Sequence, residues 1–379
     1  MLISKVEVFP LAYIEPNDDD ATRHVVVVRL EAQDGTVGWG ECVTIFREAT
    51  FATAALIKYG LGDLVIGKDP YDNETIWESL RNAIWWYGNT GGIAAMAISA
   101  LDMALWDVKG KLLKMPLYAM LGGKHSDRLP ACASSHPKLP TIEGMAAELA
   151  DHIAQGYQIV KVGFGKRGQA NLGVDETRDI AFAREVRAAI GEKAGFVIDI
   201  GAKIGAKWDA AKGIRMARAF EPYNLTWYED PFPPSNIEAY RALRAAVPAM
   251  RIATGERWWN LNDYHDLLRQ NICDVILIDP GRTEGVTGMH RIGQLAAQYN
   301  VAVDPHSWAS AINTAASLHL ALCAAKPTFF ELKPKPSVVQ DELVRNPVKQ
   351  RDGWVYLPEG YGLGVEVIEE TVHRLALSF

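Results

Sequence analysis

Hydrophobic and polar positions along the 379 residues change rhythm twice. Residues 5–10 alternate, 24–31 form a β-branched run, Asp34-Gly35 signals a hairpin turn, and 36–42 return as a strand. From about Thr50 the spacing turns helical. It is clearest over 93–111, where Met96, Ile98, Leu101, Leu105 and Val108 recur behind a Thr90-Gly91-Gly92 start. Pro116 and Gly122-Gly123 close this first region. From Arg128 short β-rich runs alternate with amphipathic helical stretches. The runs are 129–134, 158–163, 196–200, 225–229, 251–254, 274–278, 301–304 and 328–332. Helical patterns between them include 142–155, 176–190, 209–220, 237–246, 285–299 and 311–325. Eight strand–helix units in succession predict an α/β fold, a parallel (β/α)8 TIM-type barrel. A doubly wound open sheet usually has fewer strands and a Gly-rich nucleotide turn, which this sequence lacks. After Leu332 a Pro-Lys-Pro segment and an Asp352-Gly353 turn lead to Tyr361-Gly-Leu-Gly, and the last residues are expected to fold back on the amino-terminal region.

Composition narrows the setting. With 39 Lys+Arg against 46 Asp+Glu the formal net charge is -7, and 49% of residues are hydrophobic, as in ordinary soluble domains. That balance argues against a nucleic-acid or anionic-membrane partner, both of which need a basic footprint. The uncharged stretch 82–101 carries two Asn, a Thr and three Gly, too polar for a membrane span. The first residues, Met1-Leu-Ile-Ser-Lys-Val-Glu-Val, lack a basic segment followed by an apolar one, so no secretion signal is expected. Cys42, Cys132, Cys273 and Cys323 lie far apart without CxxC spacing, which fits reduced thiols in a cytoplasm rather than a disulfide framework or zinc site.

The chemistry lies in where the ionisable residues fall. In a barrel the carboxyl ends of the strands share one mouth, so residues distant in sequence converge there. The second to eighth strand ends carry Lys161, Asp199, Glu229, Glu256, Asp279, His306 and Glu331. Each alone reads as a loop charge or a helix cap; seven at equivalent points do not. Asp199, Glu229 and Glu256 on adjacent strands form a hard oxygen cluster that repels itself unless a cation lies between them. Mg2+ suits it, accepting a few carboxylates while keeping water and substrate oxygens. Zinc is disfavoured because no Cys or His lies beside these positions. A lysine on one side and a histidine with a nearby aspartate on the other are suited to proton transfer.

Together these residues imply a reaction class. A proton next to a carboxylate is barely acidic, because its removal builds a second negative charge on the substrate. A divalent ion on the carboxylate oxygens stabilises that enediolate, and a tuned base performs the abstraction. Groups on opposite faces permit re-protonation from the other side or protonation of a leaving β-hydroxyl, so racemisation and dehydration share one machinery.

The pattern resembles the enolase superfamily and, within it, the mandelate racemase/muconate lactonizing enzyme group, over almost the whole chain. The resemblance rests on Gly38-Trp-Gly-Glu-Cys, Ala104-Leu-Trp-Asp-Val-Lys-Gly-Lys, Pro116-Leu-Tyr and Leu121-Gly-Gly. In the barrel it rests on Lys161-Val-Gly, Asp199, Glu229-Asp-Pro, Gly255-Glu256, Asp279 with Gly288 downstream, and Pro305-His306-Ser, and near the end on Gly360-Tyr-Gly-Leu-Gly-Val-Glu. It implies a modified enolase-type barrel (126–355), an α+β capping domain (1–125) and a carboxyl-terminal segment (356–379) that returns to the cap. It makes Asp199, Glu229 and Glu256 the ligands of one Mg2+ per subunit. Lys161, matching the second lysine of a Lys-x-Lys motif, becomes one acid/base, and His306 oriented by Asp279 the other. Glu331 then hydrogen-bonds the substrate carboxylate or enediolate. Cap loops near 13–23 and 45–59 shape specificity, with Tyr13 a candidate substrate contact.

Two departures stand out. Ile159 replaces the first lysine of Lys-x-Lys, removing a cation expected to depress the pKa of Lys161, so Lys161 is expected to rest protonated and His306 to be the abstracting base. Gly201 stands where the family often has an Asn that touches the substrate hydroxyl. Lys203 or Arg257 are candidates to compensate, against the simpler reading of exposed loop charges. The leading expectation is a Mg2+-dependent dehydratase that converts an acid sugar into a 2-keto-3-deoxy acid. The alternatives are a racemase, epimerase or lactone cycloisomerase on the same site, and an inactive barrel retained for binding. The expected partners are a small-molecule carboxylate and, from the family and from Trp85-Trp86-Tyr87, further copies of the chain in a homo-oligomer.

Overall fold

A computed structural model describes residues 1–88, 91–166, 168–201 and 207–379. Three antiparallel strands open the chain: β1 (Ile3–Glu15), β2 (Ala21–Ala32) and β3 (Val37–Ile45). The β2–β3 turn is fixed by Asp34, whose carboxylate accepts from the Thr36 amide at 2.9 Å, and by Gly35 at φ +86°. Val25–Val28 are buried without alternation because both faces of β2 are covered. Val26, Val28 and Leu30 pack against α1 (Arg47–Lys58), α2 (Asn73–Ala83) and α3 (Ile93–Leu113), whereas Val25 and Val27 join the core shared with the barrel. Gly38 and Gly40 let α3 press onto β3. A Cβ at Gly40 would stand 2.0 Å from the Ala100 carbonyl oxygen. Trp39 and Glu41 alternate to the opposite, barrel-facing side.

Residue Asp107 on α3 explains much of the sequence pattern around it. Its carboxylate accepts from the Trp39 amide at 2.9 Å and the Leu363 amide at 2.9 Å, and pairs with Lys111 at 2.7 Å. One side chain thus ties β3, α3 and the Tyr361-Gly-Leu-Gly segment together.

Eight parallel strands follow: β4 (Leu129–Ser135), β5 (Ile159–Gly163), β6 (Gly195–Asp199), β7 (Trp227–Glu229), β8 (Ile252–Thr254), β9 (Val275–Ile278), β10 (Ala302–Pro305) and β11 (Phe330–Leu332). Each pairs with its successor from β4 to β10, and β11 returns to pair with β4. Between β10 and β11 the Asp304 carboxylate accepts from the amides of Thr328 at 2.8 Å and Phe329 at 3.0 Å. The barrel floor is apolar, with Ile159, Val197, Trp227, Val275 and Phe329 in one cluster and Trp227 stacked on Phe329 at 4.4 Å. Ile159 therefore lies in a dry layer where an unpaired lysine would bury a charge.

After the short helix α4 (Leu117–Met120), seven helices of nine or more residues among the described residues follow β4–β10: α5 (Ile142–Ala154), α6 (Glu176–Ile190), α7 (Ala210–Phe220), α8 (Ile237–Ala246), α9 (Leu261–Arg269), α10 (Gly285–Gln298) and α11 (Ala311–Cys323). The eighth unit differs from expectation. β11 leads only into α12 (Val338–Asp341), then to a hairpin, β12 (Gln350–Arg351) and β13 (Trp354–Val355), that pairs antiparallel with the start of β4. The chain then runs to α13 (Glu369–Leu375) on β1, where the Leu377 amide donates to the Pro10 carbonyl at 2.8 Å. Among the described residues no helix is long and apolar enough to cross a membrane.

Candidate active site

The strand ends open into a cavity of about 760 Å³, roofed by β1, β2 and the β3–α1 junction. Asp199 and Glu229 end adjacent strands in register, and Glu256 follows β8 by two residues. One oxygen from each of the three lies within 4.8 Å of the others. Asp199 and Glu229 are buried, and Trp227 Nε1 donates to Glu229 Oε2 at 2.8 Å. Lys161 reaches into the same cluster. Its ammonium bonds Glu229 and lies 3.3 Å from Glu331 and 3.7 Å from Asp199. Burial favours the neutral amine, but Glu229, Glu331 and Asp199 outweigh it and keep Lys161 protonated.

These three acids suit a divalent cation on the structure's own terms. The donor set is entirely carboxylate oxygen, the choice of hard ions such as Mg2+. Asp199 Oδ1 is buried without a hydrogen-bond partner among the described residues. The lysine ammonium drawn among the acids marks the same demand for positive charge.

On the other side His306 Nδ1 meets Asp279 Oδ2 at 2.7 Å, and Nε2 lies 3.4 Å from Glu256. Asp279 is fixed in turn by the Gly281 amide at 2.8 Å and Asn313 Nδ2 at 3.1 Å. Burial would lower the imidazole pKa, but Glu256 and Asp279 hold it up at about 9. Burial would likewise raise Glu256, yet His306 and Lys161 bring it to about 2. Glu331 accepts from the Ser307 amide at 3.0 Å. Against burial, Lys161 and His306 hold its carboxyl below the usual range.

The structure thus brings Lys161, Asp199, Glu229, Glu256, Asp279, His306 and Glu331 to one mouth. Tyr13 is buried and lines the cavity. Arg257 corrects the exposed-charge reading: it lines the cavity, with Nε 3.2 Å from Asp230 and a second nitrogen 2.7 Å from the Phe232 carbonyl. Lys203 lies outside the described residues. The segment 45–59 is mostly α1 rather than loop, and meets the cavity through Ile45 and Phe46.

Sequence reasoning missed the first strand end. His136, one residue past β4, is buried in the cavity wall. Its ring packs on Trp308 at 4.2 Å, and its Nδ1 stands 3.6 Å from Asp18, too far for a hydrogen bond. Burial and the nearby Lys166 lower its pKa to about 4. The signal available was position, since His136 follows its strand as His306 follows β10. Asp18, paired with Arg23 at 2.8 Å, together with Lys166 and Arg282 completes the wall.

Comparison with known proteins follows the same outline. Residues 18–122 match the family described as mandelate racemase/muconate lactonizing enzyme, N-terminal domain, and residues 144–371 that described as enolase C-terminal domain-like. The D-galactonate dehydratase of Pectobacterium atrosepticum is 31% identical over 355 residues, covering 91% of this chain and 89% of that protein. The D-galactarolactone cycloisomerase of Agrobacterium fabrum is 30% identical over 354 residues, covering 90% and 88%. The crystal structure of the 3,6-anhydro-D-galactonate cycloisomerase from Zobellia galactanivorans matches with a TM-score of 0.87 at 27% identity, covering 100% of both chains. With a barrel, a cap and a carboxylate-lined mouth of this kind, the chain belongs to the mandelate racemase/muconate lactonizing enzyme family of the enolase superfamily.

Proposed function

We propose that this protein is a lyase that removes the proton α to the carboxylate of an acid sugar and expels the β-hydroxyl, giving a 2-keto-3-deoxy acid. The observation that carries the reading is the placement of three clustered carboxylates, a buried lysine and a histidine–aspartate pair around one cavity. Asp199, Glu229 and Glu256 are the residues that would hold Mg2+, which when bound would neutralise the second negative charge as it develops on the substrate carboxylate. His306, which lines the cavity, takes the α-proton at Nε2, while Asp279 at Nδ1 fixes the tautomer and steadies the imidazolium. With its Glu256 neighbour committed to a divalent ion, His306 loses one of the charges that hold its proton. Lys161, kept cationic by its acidic surroundings, delivers a proton to the departing hydroxyl, so water leaves and an enol remains, which ketonises by moving its hydroxyl proton to the adjacent carbon. The proton left on His306 passes to solvent, and Lys161 regains one from it. Glu331 orients the substrate carboxylate.

Incubation with Mg2+ and a panel of aldonic and aldaric acids, with trapping of 2-keto products, tests this reading. Turnover undiminished by a chelator refutes the metal assignment. The second reading, a cycloisomerase using this same site, is supported by the names of two similar proteins, a D-galactarolactone cycloisomerase and a 3,6-anhydro-D-galactonate cycloisomerase; it would give an isomeric product without loss of water. The same reading divides the chain into a cap (1–125), a barrel (126–355) and a returning segment (356–379). It places the protein in the cytoplasm as a homo-oligomer, supported by Trp85, Trp86 and Tyr87, which are 66%, 80% and 57% exposed.

A further inference from the structure

Most cations on the cavity wall are already committed to carboxylates. Lys161 sits among Glu229, Glu331 and Asp199, Arg23 on Asp18, and Arg257 on Asp230. Among the described residues, Lys166 and Arg282 line the cavity without an acidic side chain in ion-pair contact. Arg282 lies over the Trp259 ring, 4.6 Å from its centroid, which partly offsets its charge. Lys166 has a different neighbour.

Strand β5 ends at Gly163, and the space beside it is filled from two directions. A Cβ there would stand 2.6 Å from Lys166 Cε and 2.8 Å from His136 Cδ2. The lysine therefore folds back over the strand end and lies beside the imidazole. Its Nζ comes 3.8 Å from where a Cβ on Gly201 would be. Two bare glycines, Gly163 ending β5 and Gly201 two residues past β6, make the bed for this side chain. The imidazole is immobilised against Trp308 with Nδ1 turned to the Asp18 carboxylate at 3.6 Å, and its Nε2 lies on the Lys166 side, 3.1 Å from the same Cβ position on Gly163. An ammonium without an ion-pair partner among the described residues, beside an imidazole edge that can donate from Nε2, is a pair arranged for an anionic oxygen group.

We propose that Lys166 and His136 form a second anion subsite, on the β4–β5 side of the mouth, that holds the far carboxylate of the substrate. The substrate is then a sugar dicarboxylate, an aldarate, rather than an aldonate, whose hydroxymethyl end has no use for a cation. This rests on the reading that the near carboxylate is bound at the Asp199–Glu229–Glu256 end.

Calorimetric titration of the full-length protein in Mg2+ with galactarate and with galactonate tests it. Wild type is expected to bind galactarate at least about tenfold more tightly. Lys166→Met should remove most of that preference, Lys166→Arg should restore part of it, and Gly163→Ala should reduce it by crowding the lysine away. Circular dichroism monitors folding, and Gly163→Ala and Lys166→Arg serve if the methionine variant fails to fold. Equal affinity for the two acids in wild type, or a preference that survives both Lys166→Met and Gly163→Ala, overturns the subsite. A wild type that turns over aldonates alone sinks the subsite and leaves the dehydratase reading standing. Failure to bind Mg2+ or either acid sinks both.

Discussion

Glu41 offers a quantitative test of how the cap is joined to the barrel. Its side chain leaves β3 and meets the first turn of α11, accepting from the Ser310 amide at 2.9 Å, the Asn313 amide at 3.0 Å and the Ser310 hydroxyl. The group is fully buried. Burial raises its pKa from 4.5 to about 7, against the lowering effect of those three donors. Below pH 4.5 both folded and unfolded chains hold the proton. Between there and pH 7 the unfolded chain releases it while the folded chain retains it, so rising pH favours unfolding. The rise corresponds to about 3 kcal/mol of stability present at low pH and lost as pH climbs through the folded value. Glu41→Gln keeps one acceptor oxygen, removes the titration and misplaces one amide donor, at a pH-independent cost of about 1–3 kcal/mol. The stability deficit of Glu41→Gln relative to wild type should therefore shrink by about 3 kcal/mol from about pH 4.5 to about pH 8. Urea denaturation followed by circular dichroism at both ends of that range measures it. Asp102 and Asp179, which burial also raises to about 7, are common to both proteins and cancel. Parallel pH profiles for the two proteins would refute the argument.

Other substitutions separate the parts of the site. Glu229→Gln should weaken Mg2+ binding by at least about a hundredfold in calorimetry and take turnover with it; normal metal affinity would remove Glu229 from the cluster. His306→Asn should cut turnover by about a thousandfold while Mg2+ binding and circular dichroism stay those of wild type. A variant that turns over normally takes the imidazole out of the mechanism. Asp304→Ala leaves the amides of Thr328 and Phe329 without their acceptor and should cost about 2 kcal/mol in urea denaturation with Mg2+ affinity retained.

Much of the barrel was legible because its strands and helices obey different periods. The limits 176–190 and 237–246 are those of α6 and α8, and the strand limits fall within two residues. The eighth unit misled because a β-rich run says nothing about whether a helix follows it. Here the chain leaves the barrel to pair with β4 and lie along β1. The acids at the mouth were readable because β6 and β7 each end on one. His136 was not, since its neighbours Ser134 and Ser135 carry no charge to mark the end of β4. Partnerships were beyond reach altogether. Arg257 read as a free charge because Asp230, which holds it, lies 27 residues away and meets it only through packing of adjacent strands. The Gly38-Trp-Gly-Glu motif has an architectural basis: its glycines admit α3, its tryptophan amide reaches Asp107, and its glutamate caps α11.

Trp227 sits directly beneath this chemistry, stacked on Phe329 and donating its indole N–H to Glu229. An indole excited state is strongly dipolar, so its emission responds to the charge carried by a hydrogen-bonded carboxylate. The barrel floor therefore contains an intrinsic fluorophore bonded to the acidic cluster, and the part of the emission that a Trp227→Phe variant loses, among eleven tryptophans, is the part that would report on the mouth.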